Sequence, residues 1–152
     1  MAVYVQAEDF DVSAQITKLR AGDLRVGAVV SFVGTVRDVN DNAQVTTLTL
    51  EHYPGMTEAS LEAIVARAHA RFDIYQCLVI HRYGELKPSD QIVLVVVSSA
   101  HRGEAFAACE FVMDYLKTEA PFWKKEQTPE GARWVDARVI DDQAKNRWQG
   151  AT

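Results

Sequence analysis

The sequence predicts an α+β protein with a largely antiparallel sheet, and three observations support that prediction. Apolar, β-branched runs such as Ile92 to Ser98 are typical of buried strands. Apolar residues at helical spacing from Leu61 to Phe72 are typical of an amphipathic helix that packs on a sheet. Turn residues such as Thr128 to Gly131 join neighbouring strands directly, as in antiparallel hairpins.

The composition is that of a globular protein, which we expect to be one domain over residues 1–152. Of these 152 residues, 48% are hydrophobic and 24% are charged. The N-terminus shows no basic segment followed by an apolar run, and the longest apolar stretch, Ile92 to Val97, is too short to cross a bilayer. We therefore expect a cytoplasmic protein that contacts no membrane.

The net charge and the spacing of the cysteines and histidines restrict the kinds of ligand that we expect. A net charge of −5 argues against general nucleic-acid binding, whereas a local group of cations on an acidic protein indicates a small anionic ligand. Neither Cys77 and Cys109 nor any pair of histidines has metal-ligand spacing. We expect two buried, reduced thiols and neither a metal nor a cofactor.

The first half of the chain is predicted to form three strands and two helices. Val26 to Val36 is apolar on both alternating faces, which predicts a central strand, and Gly34 suggests a bulge in it or a close approach of the backbone to a ligand. The turn residues Asn40 to Asn42 predict a hairpin from that strand to its return at Val45 to Tyr53. The other predicted elements are a strand at Val3 to Gln6, a helix capped by Asp11 and closed by Gly22, and a helix capped by Thr57.

The second half is predicted to contain more strands than helices. The predicted elements are a strand at Gln76 to Tyr83, a turn from Gly84 to Asp90, the buried strand from Ile92, a helix with the stripe Phe106, Cys109, Val112, Met113 and Leu116, and a hairpin of Phe122 to Glu126 with Arg133 to Val139. Trp123 and Trp134 are expected to be core or interface anchors in that hairpin. The polar tail from Asp141 is expected to be frayed, unless Trp148 docks.

The residues from Met113 to Glu126 hold the strongest chemical signal. Pro121 ends a helix by about Thr118, which places Lys117 on its last turn, where a cation suits the helix dipole. In the extended segment that follows, Lys124 lies on one face and Lys125 on the other. Lys117 and Lys124 can then converge on one pocket. The alternative is a C-terminal lysine followed by a solvated basic strand.

A second cationic position precedes the same helix. His101 and Arg102 follow the buried strand at a helix start, where free N–H groups and the positive dipole end suit a phosphate. The alternative is an ordinary surface arginine. His52 and His81 lie within predicted strands, where a packed, hydrogen-bonded histidine is favoured over a functional one.

Long motifs then resemble one family, the catalytic large subunit of molybdopterin synthase. They are LTLEHYPGMTE, HRYGEL, SSAHRGEAF, MDYLKTEAPFWKKE and TPEGARWVDAR, and together the match runs from about Val26 to Arg138. The resemblance implies an α/β-hammerhead fold with an added antiparallel sheet. It also implies a homodimer that carries one small subunit at each end, forming a heterotetramer.

The resemblance further implies an activity and a set of site residues. The family converts cyclic pyranopterin monophosphate into molybdopterin, with sulfur from the C-terminal Gly-Gly thiocarboxylate of a small ubiquitin-like partner. By this resemblance, Lys117 and Lys124 are catalytic. The implied substrate-binding residues are these two lysines together with Thr35, Val36, Arg37, His101, Arg102, Lys125 and Glu126. Phe32 or Phe122 is expected to wall the slot for the pterin ring.

Two other functions remain open at this stage. One is a non-catalytic docking scaffold for the ubiquitin-like sulfur carrier, whose lysines only hold its tail. The other is an unrelated anion-binding regulatory domain. Incorporation of sulfur into the pterin separates the enzyme from both.

Overall fold

The computed structural model describes residues 2–40, 42–135 and 139–149. In chain order the elements are β1 (Val3–Gln6), α1 (Val12–Arg20), β2 (Ala28–Thr35), β3 (Val39–Asn40), β4 (Ala43–Gln44), β5 (Thr47–His52), α2 (Met56–Arg71), β6 (Gln76–Arg82), β7 (Gly84–Leu86), β8 (Gln91–Ser99), α3 (Arg102–Glu119), β9 (Phe122–Thr128), β10 (Gly131–Val135) and α4 (Val139–Gln149). The predicted α+β class with largely antiparallel strands is confirmed.

The first sheet has the strand order β1-β6-β8-β2, and β8 lies at its centre. Strand β8 is antiparallel to both of its neighbours, β6 and β2, whereas β1 runs parallel to β6. The residues from Val93 to Val97 are buried on both faces because α2 and α3 cover one side of the sheet and α1 covers the other. This double coverage explains why the β8 sequence is apolar without alternation.

Strand β2 corrects one prediction, since it is an edge strand of the described sheet and not a central one. It pairs with β8 alone among the described strands, and Phe32 is 39% exposed. Apolar residues on both faces of a strand indicate that other elements cover both faces. They do not indicate whether both edges of the strand are paired with other strands. The bulge predicted at Gly34 is confirmed by a register shift between Gly34 and Thr35.

The second sheet has the order β10-β9-β5-β7 and corrects a predicted pairing. The strand predicted as the return of β2 is β5, which pairs with β9 and β7 instead. The predicted turn near Asn40 joins only the short strands β3 and β4. Part of the predicted turn from Gly84 is β7 itself. The β9–β10 hairpin is confirmed, with Gly131 opposite Thr128.

Two helix details differ from the sequence-based predictions. Helix α2 begins after Gly55, and Thr57 is not its cap. Instead Thr57 is buried; its Oγ1 accepts the N–H of Tyr53 at 3.0 Å and donates to the carbonyl of Pro121 at 3.1 Å. Phe106, placed in the buried stripe of α3, is 60% exposed, because the residues facing the sheet are its neighbours Ala105 and Ala108.

The C-terminal segment also differs from the prediction. The last predicted strand ends at Val135, residues 136–138 lie outside the described ranges, and Val139 begins α4. The segment expected to be frayed is helical to Gln149, and Trp148 docks as the sequence allowed. Its ring lies 5.5 Å from that of Phe111, and its Nε1 donates to Asp114 at 2.6 Å. Among the described helices, none is long and apolar enough to cross a membrane.

Candidate active site

The site begins where α3 ends and β9 starts. Helix α3 ends at Glu119, before Pro121, so Lys117 lies on its last turn as predicted. The alternation predicted for β9 is also confirmed, because Lys124 is partly buried and Lys125 is exposed. The hydrogen bond from Thr57 to Pro121 ties the start of α2 to this corner. Two lysines therefore approach the corner from two different elements.

His81 is buried at this corner. The sequence analysis did not predict it as a site residue. In β6 it shares a face with Cys77 and Val79, which pack against α3. Its ring stacks on Phe122, with centroids 3.7 Å apart and planes inclined by 18°. It is 5% exposed, so the predicted packed histidine is confirmed. Its chemistry-bearing neighbours come from distant parts of the chain, and no local spacing signals them.

The His81 ring is held in its neutral form. Burial above all, together with the charges of Lys117 and Lys124 and the nearby His52, lowers its pKa from 6.5 to about 3. A hydrogen bond to the Arg82 carbonyl acts in the opposite direction. Lys117 lies on the last turn of α3, just before Phe122 in the chain, and Lys124 follows Phe122 by two positions on the same face of β9. The structure thus brings Lys117 and Lys124 together around the His81–Phe122 stack.

Arg37 lies in the loop after β2, where a polar network reaches β9. Its Nη2 donates to Asn40 Oδ1 at 3.4 Å, and Asn40 Nδ2 donates to Glu126 Oε1 at 2.5 Å. Arg133 donates to the Asn40 carbonyl at 2.8 Å and lies 3.7 Å from Glu126. Glu126 is 3% exposed, so in this chain its carboxylate holds the Arg37 loop rather than facing solvent.

Two other predicted residues make contacts that face away from the lysine corner. The backbone of Val36, next to the exposed Thr35, is used internally: its N–H donates to the Asp90 carbonyl and its carbonyl accepts the Ser89 N–H. Lys125 lies on the outer face of β9, with its Nζ 5.8 Å from the ring of Trp134. That outer face is exposed, and Trp123 and Trp134 are 40% and 56% exposed, so neither is a core anchor.

His101 and Arg102 lie at the opposite end of α3 from Lys117. Both are exposed, and His101 is the residue that precedes the helix. Fifteen residues separate Arg102 from Lys117, and at a rise of 1.5 Å per residue this is about 22 Å along the helix. One copy of the chain therefore gathers the two lysines but leaves His101 and Arg102 remote from them.

The two cysteines do not supply sulfur chemistry to this corner. Both are free thiols and buried, as predicted. Burial raises the pKa of Cys77 to about 12 and that of Cys109 to about 11. The thiolate is the nucleophilic form of cysteine, so neither residue is a nucleophile near neutral pH. Reactive sulfur at this site has to arrive from outside the chain.

Comparison with known proteins decides the family. The model of the MoaE protein family matches residues 5–119. The chain belongs to the MoaE family. It is 64% identical over 146 residues to a molybdopterin synthase catalytic subunit from Ralstonia nicotianae, covering 96% of this chain and 83% of the relative. Lys117, Arg37, His101 and Arg102 all fall within the matched residues.

Solved MoaE structures agree with the fold. A molybdopterin biosynthesis MoaE protein from Burkholderia ambifaria is 55% identical, covers 99% of this chain and all of its own, and superposes with a TM-score of 0.85. A molybdopterin synthase from Staphylococcus aureus is 30% identical, covers 90% of this chain and 98% of its own, and has a TM-score of 0.82. The MoaE architecture is therefore retained down to modest sequence identity.

Proposed function

We propose that this chain is the catalytic subunit of a molybdopterin synthase. It transfers sulfur from the C-terminal thiocarboxylate of a small ubiquitin-like subunit to cyclic pyranopterin monophosphate, which forms the dithiolene of molybdopterin. Family membership supports the reaction class, because the curated relatives are named as catalytic subunits of this enzyme. The structural observation that carries the proposal is the placement of Lys117 and Lys124 on two elements, the end of α3 and the start of β9, that meet at the His81–Phe122 stack.

The chemistry requires cations around a reactive carbonyl. The thiocarboxylate sulfur bonds to a side-chain carbon of the pterin in place of an oxygen substituent, so a C–O bond breaks and that oxygen leaves as water or with the phosphate. Water or an amine then attacks the carbonyl, and the bond from the sulfur to the carbonyl carbon breaks, which leaves the sulfur on the pterin and a carboxylate or an amide on the tail. Lys117 lies exposed at the helix end, where a partner's tail reaches it, and acts as base or as transient acyl acceptor. Lys124, partly buried, stabilises the charge that develops on the carbonyl oxygen or the phosphate.

The substrate phosphate needs more cations than the lysine corner provides. Arg37 is held near β9 through Asn40 and Glu126, and we assign it to the anionic substrate. His101 and Arg102 are about 22 Å away along α3 in the same copy. In the proposed homodimer, a second copy therefore supplies them to the lysine corner. The exposed edge strand β2, which leads into Arg37, leaves this side of the sheet open to such a copy.

The proposed partners are the small sulfur-carrier subunit, a second copy of this chain and the pterin substrate. The positive field of Lys117, Lys124 and Arg37 attracts both the anionic tail and the anionic substrate. We place the reaction in the cytoplasm. The two buried cysteines, which remain thiols, support a reducing compartment.

A mass measurement of the pterin product tests the proposal. Wild-type protein is given the precursor with the thiocarboxylated partner or with the unloaded partner, and two added sulfurs are expected only with the loaded one. Lys117→Ala is expected to bind both components but to lose about 10³-fold or more in turnover, as for removal of a principal catalytic group. The matched control is Lys18→Ala, because Lys18 also lies in the last turn of a helix.

One result contradicts the role of Lys117 and another contradicts the enzyme. Full turnover by Lys117→Ala removes this lysine from the mechanism. Binding of the loaded partner without any sulfur in the pterin, by the wild type, supports the docking scaffold instead.

A further inference from the structure

Asn40 lies in a hairpin that is too short to fix its own position. Strands β3 and β4 have two residues each and pair only with each other among the described strands. An isolated two-stranded hairpin is at best marginally stable in water, even at greater length. The position of this loop, and of Arg37 just before β3, therefore depends on contacts with the rest of the protein.

Both the backbone and the side chain of Asn40 contact the second sheet. The carbonyl oxygen of Asn40 accepts a hydrogen bond from Nη2 of Arg133 at 2.8 Å, and its Nδ2 donates to Oε1 of Glu126 at 2.5 Å. Arg133 of β10 lies directly opposite Glu126 of β9, and their charged groups are 3.7 Å apart. Because Glu126 is buried, its carboxylate strongly favours a hydrogen-bond donor, and Asn40 supplies one.

The neighbours of Asn40 decide which way its side-chain amide faces. A carboxylate only accepts hydrogen bonds, so the NH2 group of the amide, rather than Oδ1, faces Glu126. Oδ1 accepts Nη2 of Arg37 at 3.4 Å, and a guanidinium only donates. The reversed amide would place its oxygen against the carboxylate and its NH2 group against the guanidinium. Glu126 and Arg37 therefore select the same orientation of Asn40.

These contacts tie Arg37 to the strand that carries Lys124. Glu126 and Lys124 are two residues apart in β9, so their side chains leave the strand on the same face, about 7 Å apart along it. Arg37 is exposed, and a long side chain at the surface otherwise occupies many rotamers. Asn40 engages one of the five N–H donors of the guanidinium, which leaves the others for an anion.

We propose that Asn40 is a positioning residue for the anionic substrate: its amide, oriented by Glu126, holds the guanidinium of Arg37 beside the face of β9 that carries Lys124. The inference rests on the proposed function and deepens it, because it names the residue that sets the direction of Arg37. Asn40 acts through Arg37 and touches no reacting atom. Its removal therefore weakens the binding of the substrate more than it slows the chemical step.

Steady-state kinetics of a double-mutant cycle test this role. Asn40→Ala is expected to raise KM for the pterin about threefold to tenfold, as for the loss of one hydrogen bond, and to change kcat less than about twofold. In an Arg37→Ala background the same substitution is expected to change KM less than about 1.5-fold, because the guanidinium that Asn40 orients is absent. The matched control is Val39→Ala, which shortens an exposed side chain of the same strand and is expected to leave KM unchanged.

Nitrogen-15 relaxation of the arginine side chains tests the orientation itself, without substrate. The order parameter of the Arg37 Nε–H group is expected to fall in Asn40→Ala and to stay at the wild-type value in Val39→Ala. In the wild type it is expected to exceed that of Arg20, an exposed arginine whose side chain has no hydrogen bond among the described residues. This last comparison needs no folded variant.

Each outcome decides the matter. The inference is overturned by an unchanged KM in Asn40→Ala, by an equal rise in KM with and without Arg37, or by an equal rise in Val39→Ala. It is also overturned if Arg37 is as mobile as Arg20 in the wild type. The proposed function fails separately, if the wild type inserts no sulfur into the pterin, and the relaxation measurement then still decides whether Asn40 holds Arg37.

Discussion

The two ends of helix α3 carry the same kind of charge but have different surroundings. At its C-terminal end, Lys117 faces a corner built from β6, β9 and the first turn of α2. At its N-terminal end, His101 and Arg102 are exposed, and a side chain added at Gly103 would meet nothing within 4 Å. The difference teaches that cations form a binding site where several elements of the fold converge on them. The N-terminal end of α3 therefore needs the surface of another molecule to form such a site.

In this comparison the largest effect on activity is expected at the C-terminal end of α3, beside which Lys124 and Lys125 lie on opposite faces of β9. Lys124→Ala is expected to lower kcat about 10²–10³-fold, because it removes charge stabilisation from the reacting centre. Lys125→Ala is expected to change kcat/KM less than about fivefold, as for an exposed charge. Steady-state assays with the loaded partner measure both. Comparable losses in the two variants would mean that the inner and outer faces of β9 are not functionally distinct.

A smaller effect on activity is expected at the exposed N-terminal end of α3. Arg102→Ala is expected to raise KM for the pterin about tenfold to a hundredfold, through loss of a charged hydrogen bond to the phosphate. If a second copy supplies Arg102, mixing inactive Lys117→Ala with Arg102→Ala creates dimers with one intact site. About a quarter of the wild-type activity is then expected after random exchange at low substrate concentration. Failure to recover activity, with subunit exchange verified by mass, contradicts a shared site.

The smallest effect concerns the pH dependence of stability. The unfolded His81 binds a proton near pH 6.5, whereas burial holds the folded ring neutral down to about pH 3. The buried, neutral His81 ring therefore makes its full contribution to the free energy of unfolding above pH 6.5, and this contribution is lost as the pH falls below 6.5. Between pH 7 and pH 5 the loss amounts to about 2 kcal/mol.

Urea unfolding at the two pH values measures this loss. The free energy of unfolding of wild-type protein is expected to fall more than that of His81→Phe, by about this amount, because phenylalanine does not titrate. Equal decreases in the two proteins would show that the folded ring binds its proton as readily as the unfolded one.

Several features of the site were predictable because they depend on neighbours in sequence. Pro121 has no N–H and ends α3, which places Lys117 on its last turn. Alternation along an extended strand separates Lys124 from Lys125. The family motifs around these residues identify the chemistry. None of these inferences requires knowledge of which strand lies beside which.

The rest depended on contacts between distant segments. The sequence predicted β2 as a central strand paired with β5, but apolar faces do not specify a strand's neighbours, and the two lie in different sheets. The Glu126–Asn40 contact joins residues 86 positions apart, so the spacing along the chain did not indicate that the buried Glu126 supports the loop of Arg37. The packing of Trp148 of α4 against Phe111 and Asp114 of α3 also depends on a contact between segments that are distant in the sequence.

The sequence by itself determined the family, the class of fold and the placement of Lys117 at a helix end and of Lys124 on the following strand, because each is encoded in a local pattern of side chains. Only the tertiary structure decided that His81 stacks on Phe122 where α3 ends and β9 begins, and that Glu126 reaches Asn40. The physical reason is that strand order and helix length set distances between segments, and neither pairing nor distance is contained in the spacing of residues along the chain.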